Sequence, residues 1–102
     1  MPDYDINVLE ESKEVAFALD KAYRRAVMNA DLDTMTELKP RVDEAYDSYS
    51  KARLRLISQG TVATEQDLAE LRRIRGEIDR AATTQSLILG AIEFIAFLAR
   101  FA

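Results

Sequence analysis

The chain of 102 residues contains no Cys, His or Trp, and only three Gly and two Pro. Without Cys and His it has no structural zinc site of the usual kind, no Cys or His nucleophile, no Ser-His-Asp relay and no disulfide. The scarcity of Gly and Pro, with 48% hydrophobic and 31% charged residues, excludes a disordered or turn-rich chain and points to helix. The length is that of one domain. Basic character is lacking as well: 14 bases against 18 acids leave a net charge of −4. Affinity for a phosphate backbone comes from a concentrated Lys/Arg surface that displaces counterions, so nucleic acid is not an expected partner. The charge is unevenly spread, net −6 over residues 1–47 and net +2 over residues 48–102. The first residues are acidic where a secretory signal is basic and then apolar, and the absence of Cys fits a reducing compartment, so the expected location is cytoplasmic.

What the chain does have is apolar residues at helical spacing. Leu9, Ser12, Ala16, Leu19, Tyr23, Ala26 and Ala30 step by three and four, and predict a helix over about 6–30 with Asp5 or Asn7 as its cap. Asp33 or Thr34 can cap the next helix, over about 34–59, whose stripe is Met35, Leu38, Val42, Ala45, Tyr49, Ala52 and Leu56. Pro40 removes a backbone donor near its start and predicts a kink. Gly60 supplies the stop, Thr61-Val62-Ala63 the connector, and Thr64 with Asp67 a capping pair. A third stripe, Leu71, Ile74, Ile78, Ala81, Gln85, Ile88, Ile92, Ile95 and Ala99, keeps its phase to the end. It predicts one long helix over about 64–101, with Gly90 the position that permits a break. The expected fold is therefore all-α, an antiparallel up-down-up three-helix bundle in a single domain spanning 1–102.

Such a third helix outruns its partners, and its overshooting end is the least water-compatible part of the chain. From Leu87 to Ala102 the sequence reads LILGAIEFIAFLARFA, charged only at Glu93 and Arg100. Leaving two Phe and several aliphatics in water would cost several kcal/mol at roughly 25 cal/mol per Å², so the segment requires a cover. The expected cover is the same segment of a second copy, through Leu87, Ile88, Leu89, Ile92, Glu93, Phe94, Ile95, Phe97, Leu98, Arg100 and Phe101. Another protein, a membrane or a fold-back at Gly90 are the alternatives. About 16 apolar residues around a Glu are fewer than the roughly 20 of a membrane span. A polar line, Thr83, Ser86, Gly90, Glu93, Phe97 and Arg100, marks the side that meets solvent or a charged partner. In an antiparallel pair crossing near Phe97, Glu93 of each copy would face Arg100 of the other.

Gln85 interrupts the apolar stripe, where a buried amide would fix register and an exposed one would simply reach water. Phe17 and Met28 lie opposite the first stripe and form a candidate second contact face. Arg72, Arg73, Arg75 and Arg80 are interleaved with Glu70, Glu77 and Asp79, which reads as a salt-bridged face. Asp43, Glu44 and Asp47 lack the Glu-x-x-His partners of a bundle metal site, and Tyr23, Tyr46 and Tyr49 fit core packing with outward hydroxyls. No catalytic, cofactor or metal residue stands out, so neither an enzyme nor a bound cofactor is expected. The expected function is that of a non-enzymatic protein-protein interaction module, partnered with itself and with another protein. The competing class is a subunit docking on a membrane or a membrane complex through the same apolar helix.

Overall fold

The computed structural model describes residues 3–59 and 63–101, all helical apart from short connections: α1 (Tyr4–Met28), α2 (Leu32–Gln59), α3 (Glu65–Asp79) and α4 (Thr84–Ala99). The described residues form four helices rather than three, because the expected long third helix is two. The break falls at residues 80–83, ahead of Gly90 rather than at it. Thr83 caps α4 by accepting from the Ser86 N–H at 3.1 Å, and Arg80 closes α3 by donating its N–H to the Gly76 carbonyl. Folding back costs one lost turn of helix but buries Ala91, Phe94, Phe97, Leu98 and Phe101. Each large side chain among these is worth about 2–3 kcal/mol when fully buried, which far outweighs the interrupted hydrogen bonds.

The helices pack in the ring order α1, α2, α4, α3, with α1 and α4 approaching across the shorter diagonal. Their directions follow from tertiary contacts. Asp5 at the start of α1 accepts a 2.7 Å bond from the N–H of Ala63, just before α3, and Arg75 further along α3 reaches Glu11, so α1 and α3 run parallel. Thr34 and Thr84, both in first turns, share a 2.7 Å hydroxyl contact, so α2 and α4 run parallel in the opposite sense. The body measures 46 × 22 × 18 Å, its long axis set by α2, whose 28 residues span about 42 Å.

Local chemistry explains most of the boundaries. Asp3, not Asp5 or Asn7, caps α1; its carboxylate accepts from the N–H groups of Asp5 and Ile6, which frees Asp5 to turn inward to Ala63. Asp31 caps α2 through the Thr34 N–H at 3.2 Å and also accepts from the Thr34 hydroxyl at 2.7 Å, so the capping residue precedes both Asp33 and Thr34. Those two bonds, the hydroxyl first, hold the Asp31 carboxyl below its ordinary pKa of 3.8. The Thr64–Asp67 capping box is present in both directions. Gly60, Thr61 and Val62 lie outside the described residues. α2 runs unbroken through Pro40, which sits on its exposed side. The α1–α2 turn satisfies the end of α1 through Asp31 N–H to Ala26 carbonyl and Ala30 N–H to Val27 carbonyl, a Schellman pattern with Ala30 at φ 54° where Gly is usual.

One core runs the length of the ring, centred on Val8, Val15, Leu19, Leu38, Leu71, Ile74, Phe94 and Leu98. Ser12 is fully buried within it, and its hydroxyl has no hydrogen-bond partner among the described residues. Gly90 packs where a Cβ would lie 2.6 Å from Ile78 Cγ1, so the position expected to permit a break is instead a point of close approach between α3 and α4.

Candidate interaction surface

The charges that read from the sequence as a solvated, salt-bridged face tie helices to one another. Arg73 donates to Glu77 at 2.7 Å and to Glu93 on α4 at 3.1 Å, and Arg100 reaches Glu70 at 2.9 Å and Asp67 at 3.4 Å. Arg75 holds Glu11 on α1, with Arg72 at 3.9 Å from the same carboxylate. The Arg100 guanidinium also lies 4.7 Å from the centre of the Phe97 ring, covering the end of α4. Glu93 and Arg100, expected to meet a second copy, are thus both paired to α3 of the same chain. The polar line on α4 does meet a charged partner, and that partner is α3.

The remaining candidates separate by burial. Phe94, Phe97, Leu98 and Phe101 lie in the chain's own core. Leu87, Ile88 and Ile95 are half-buried against it. Leu89 and Ile92 remain 53% and 40% exposed, and Gln85 is exposed with them. These fall on one line: Gln85, Leu89, Ile92, Ala96 and Ala99, stepping four, three, four, three, are all exposed and none is charged. Gln85 therefore reaches solvent rather than a buried seam. Over about four turns the outward side of α4 offers water only an amide and hydrocarbon, flanked on the α3 side by the Arg73–Glu93 and Arg100–Glu70 pairs. An apolar centre with a charged rim of both signs is the anatomy of a protein-protein contact.

Other sites offer less. Phe17 and Met28, 50% and 86% exposed, stand on the outer side of α1 about three turns apart. Val27 and Leu32 are exposed beside Met28 at the α1–α2 turn. A shallow groove of about 410 Å³ on α2 is lined by Tyr49, Ser50, Arg53, Leu54 and Ile57. A smaller cleft of about 180 Å³ lies between α1 and the α3–α4 turn, with Lys21 and Arg25 on one wall and Asp79 on the other. The three tyrosines do not share a pocket: Tyr46 donates to Asp20 at 3.1 Å, Tyr23 lies under Lys39 Nζ, and Tyr49 lines the α2 groove. Burial and then the Asp20 carboxylate raise the Tyr46 pKa, keeping the phenol neutral. Asp43, Glu44 and Asp47 each pair with a base on α2, and the described residues contain no cluster of acids fit to hold a metal ion. Among the described residues no helix is long and apolar enough to cross a membrane.

The signal for this surface is present in the sequence, but at a different phase. The stripe through Gln85, Ile92 and Ala99 marks the outer side of α4, while the buried set Ala91, Phe94, Leu98 and Phe101 has the same three-four spacing, one position earlier. No family model, curated protein or solved structure matches the chain.

Proposed function

We propose that this chain is a non-enzymatic helical interaction module of the cytoplasm that self-associates through the outer side of α4 and, so assembled, presents its acidic helices to another protein as an adaptor, assembly subunit, chaperone or inhibitor. The observation that carries the reading is the uncharged line Gln85, Leu89, Ile92, Ala96 and Ala99 on a chain whose other helices show charged outer sides. Leu89 and Ile92 each still expose about half of their surface, so covering them in a contact contributes on the order of 1 kcal/mol apiece. With the half-exposed parts of Ile88 and Ile95 they make an apolar strip fit for the centre of an interface.

The test is light scattering coupled to size exclusion on the full chain and on Ile92→Glu, with helicity followed by circular dichroism. Truncation before α4 is unsuitable, because α4 supplies Phe94 and Leu98 to the core. The expected result is a discrete oligomer that becomes a monomer of unchanged helicity on substitution. A monodisperse monomer of the unsubstituted chain at high micromolar concentration overturns the reading. Flotation of the full chain with liposomes, lost in Ile92→Glu, would favour membrane docking through the same surface instead.

A further inference from the structure

The charges of α2 that border α4 have a polarity of their own. Asp33, Glu37, Glu44, Lys51 and Arg55 are exposed and each immediately precedes a buried residue: Thr34, Leu38, Ala45, Ala52 and Leu56. The residues that follow those buried positions reach the other way, since Lys39 lies over Tyr23 and Tyr46 donates to Asp20, both on α1. The preceding residues therefore stand on the opposite flank, beside α4. Arg41, on the same flank, is paired with Glu44 at 3.3 Å near its middle, between Asp33 and Glu37 at one end and Lys51 and Arg55 at the other. Lys51 also meets Asp47 one turn earlier, in a well-hydrated pair.

We infer that two copies associate as an antiparallel, two-fold pair across the joined outer sides of α4 and α2, oriented by these charges. The inference rests on the self-association proposed above. Thr34 lies beside Thr84 and the two helices run the same way, so Ile92, the centre of the α4 line, stands level with residue 42 of α2. Asp33 and Lys51 are nine residues to either side of that level, each about 14 Å away. A two-fold axis crossing α4 at Ile92 lays the α2 flank of one copy against that of the other, reversed end for end. The acidic end then meets the basic end twice, Asp33 opposite Lys51 of the second copy in both halves of the interface. The same axis sets Gln85 opposite Ala99, since both are seven residues from Ile92. A lipid surface would use a flank of one positive sign, which α2 does not offer.

Because the chain has no Cys, orientation can be read by disulfide trapping with single substitutions. Gln85→Cys mixed with Ala99→Cys should oxidise to a covalent dimer, with either variant alone crosslinking at least about tenfold more slowly. Charge supplies the second measurement. Asp33→Lys or Lys51→Asp alone should raise the dimer dissociation constant about tenfold at low salt, and the two together in one chain should restore it. Gln85→Cys crosslinking with itself as fast as with Ala99→Cys overturns the antiparallel orientation, and a double charge variant no tighter than the singles overturns the role of α2. In either case loss of the dimer in Ile92→Glu would leave self-association through α4 standing, whereas a chain that is monomeric throughout removes both.

Discussion

Gly90 provides the sharpest test of how α3 and α4 meet. In an exposed helix Gly→Ala is stabilising by about 1 kcal/mol, because Ala restricts the unfolded chain and favours helix. At Gly90 a Cβ would lie 2.6 Å from Ile78 Cγ1. Carbon atoms in contact settle at about 3.5–4.0 Å, so close to an ångström of movement is needed between two packed helices. Overpacking of this kind costs about 1–3 kcal/mol, and α3 is held on its other side by Arg75 to Glu11, which limits its retreat. The expected net effect of Gly90→Ala is a loss of about 1–2 kcal/mol. Ile78→Ala alone should cost about 2–4 kcal/mol by leaving a cavity. In that background Gly90→Ala should change sign and stabilise by about 1–2 kcal/mol, since the methyl enters space the isoleucine has left. The coupling between the two positions is then about 2–4 kcal/mol, measurable by urea denaturation at constant slope. Gly76 is the control: a methyl group added there would meet first the mobile Arg80 guanidinium, at 3.1 Å, so Gly76→Ala should stabilise. Gly90→Ala that stabilises the unsubstituted chain, or that shows no coupling to Ile78, would refute the close approach.

Ala30→Gly should stabilise by about 0.5–1 kcal/mol, seen as a rise in thermal midpoint, because Ala30 occupies a left-handed conformation at φ 54°; a drop would contradict the Schellman turn. Asp5→Ala should cost about 1–3 kcal/mol and speed amide exchange at Ala63, whose N–H would lose its buried acceptor; unchanged exchange would show that the link is not made in solution. Ser12→Ala should be neutral or stabilise by about 1 kcal/mol, as the buried hydroxyl has no partner to lose; a clear loss in urea denaturation would reveal one. For Asp31 the folded pKa lies below the ordinary value, so its bonds to Thr34 stabilise fully above the unfolded value near 4 and are lost as pH falls through the lower, folded one. The stability difference between the native chain and Asp31→Asn should therefore shrink as pH falls from about 5 into the range below the unfolded value near 4; a constant difference would argue against it.

How much of this is legible in the residues depends on the element. The helical class, α1 and α2 follow directly from amphipathic period, and the Thr64–Asp67 box marks the start of α3 because both partners are close in sequence. The α3–α4 turn is hidden by an accident of phase. Ile78, Ala81, Gln85 and Ile88 continue the spacing of α3 across the break, so the period reads straight through a reversal of direction. Thr83 followed by Ser86 is the local sign of a new N-terminus, and the four residues of apolar pattern outweigh it. Gly90 misleads for a related reason: sequence records that a side chain is missing, but not whether the gap serves bending or close packing, which depends on the neighbour opposite.

The two phases of α4 also set its inner and outer surfaces apart. A helix in the corner of a four-helix ring needs one buried side, and α4 has it in Ala91, Phe94, Leu98 and Phe101. That requirement is met without Leu89, Ile92 or Ala96, so packing within the chain gives no reason for the outer line to be apolar. α1, also at a corner, places exposed charge along its outer side, at Glu10, Lys13, Lys21 and Arg24. α4 has room for charge and uses it only toward α3, at Glu93 and Arg100. An apolar period on both sides of a helix that needs only one is the feature that self-association through α4 accounts for. The lone Ile92→Glu substitution, which leaves the core untouched, is therefore expected to change the assembly and not the fold.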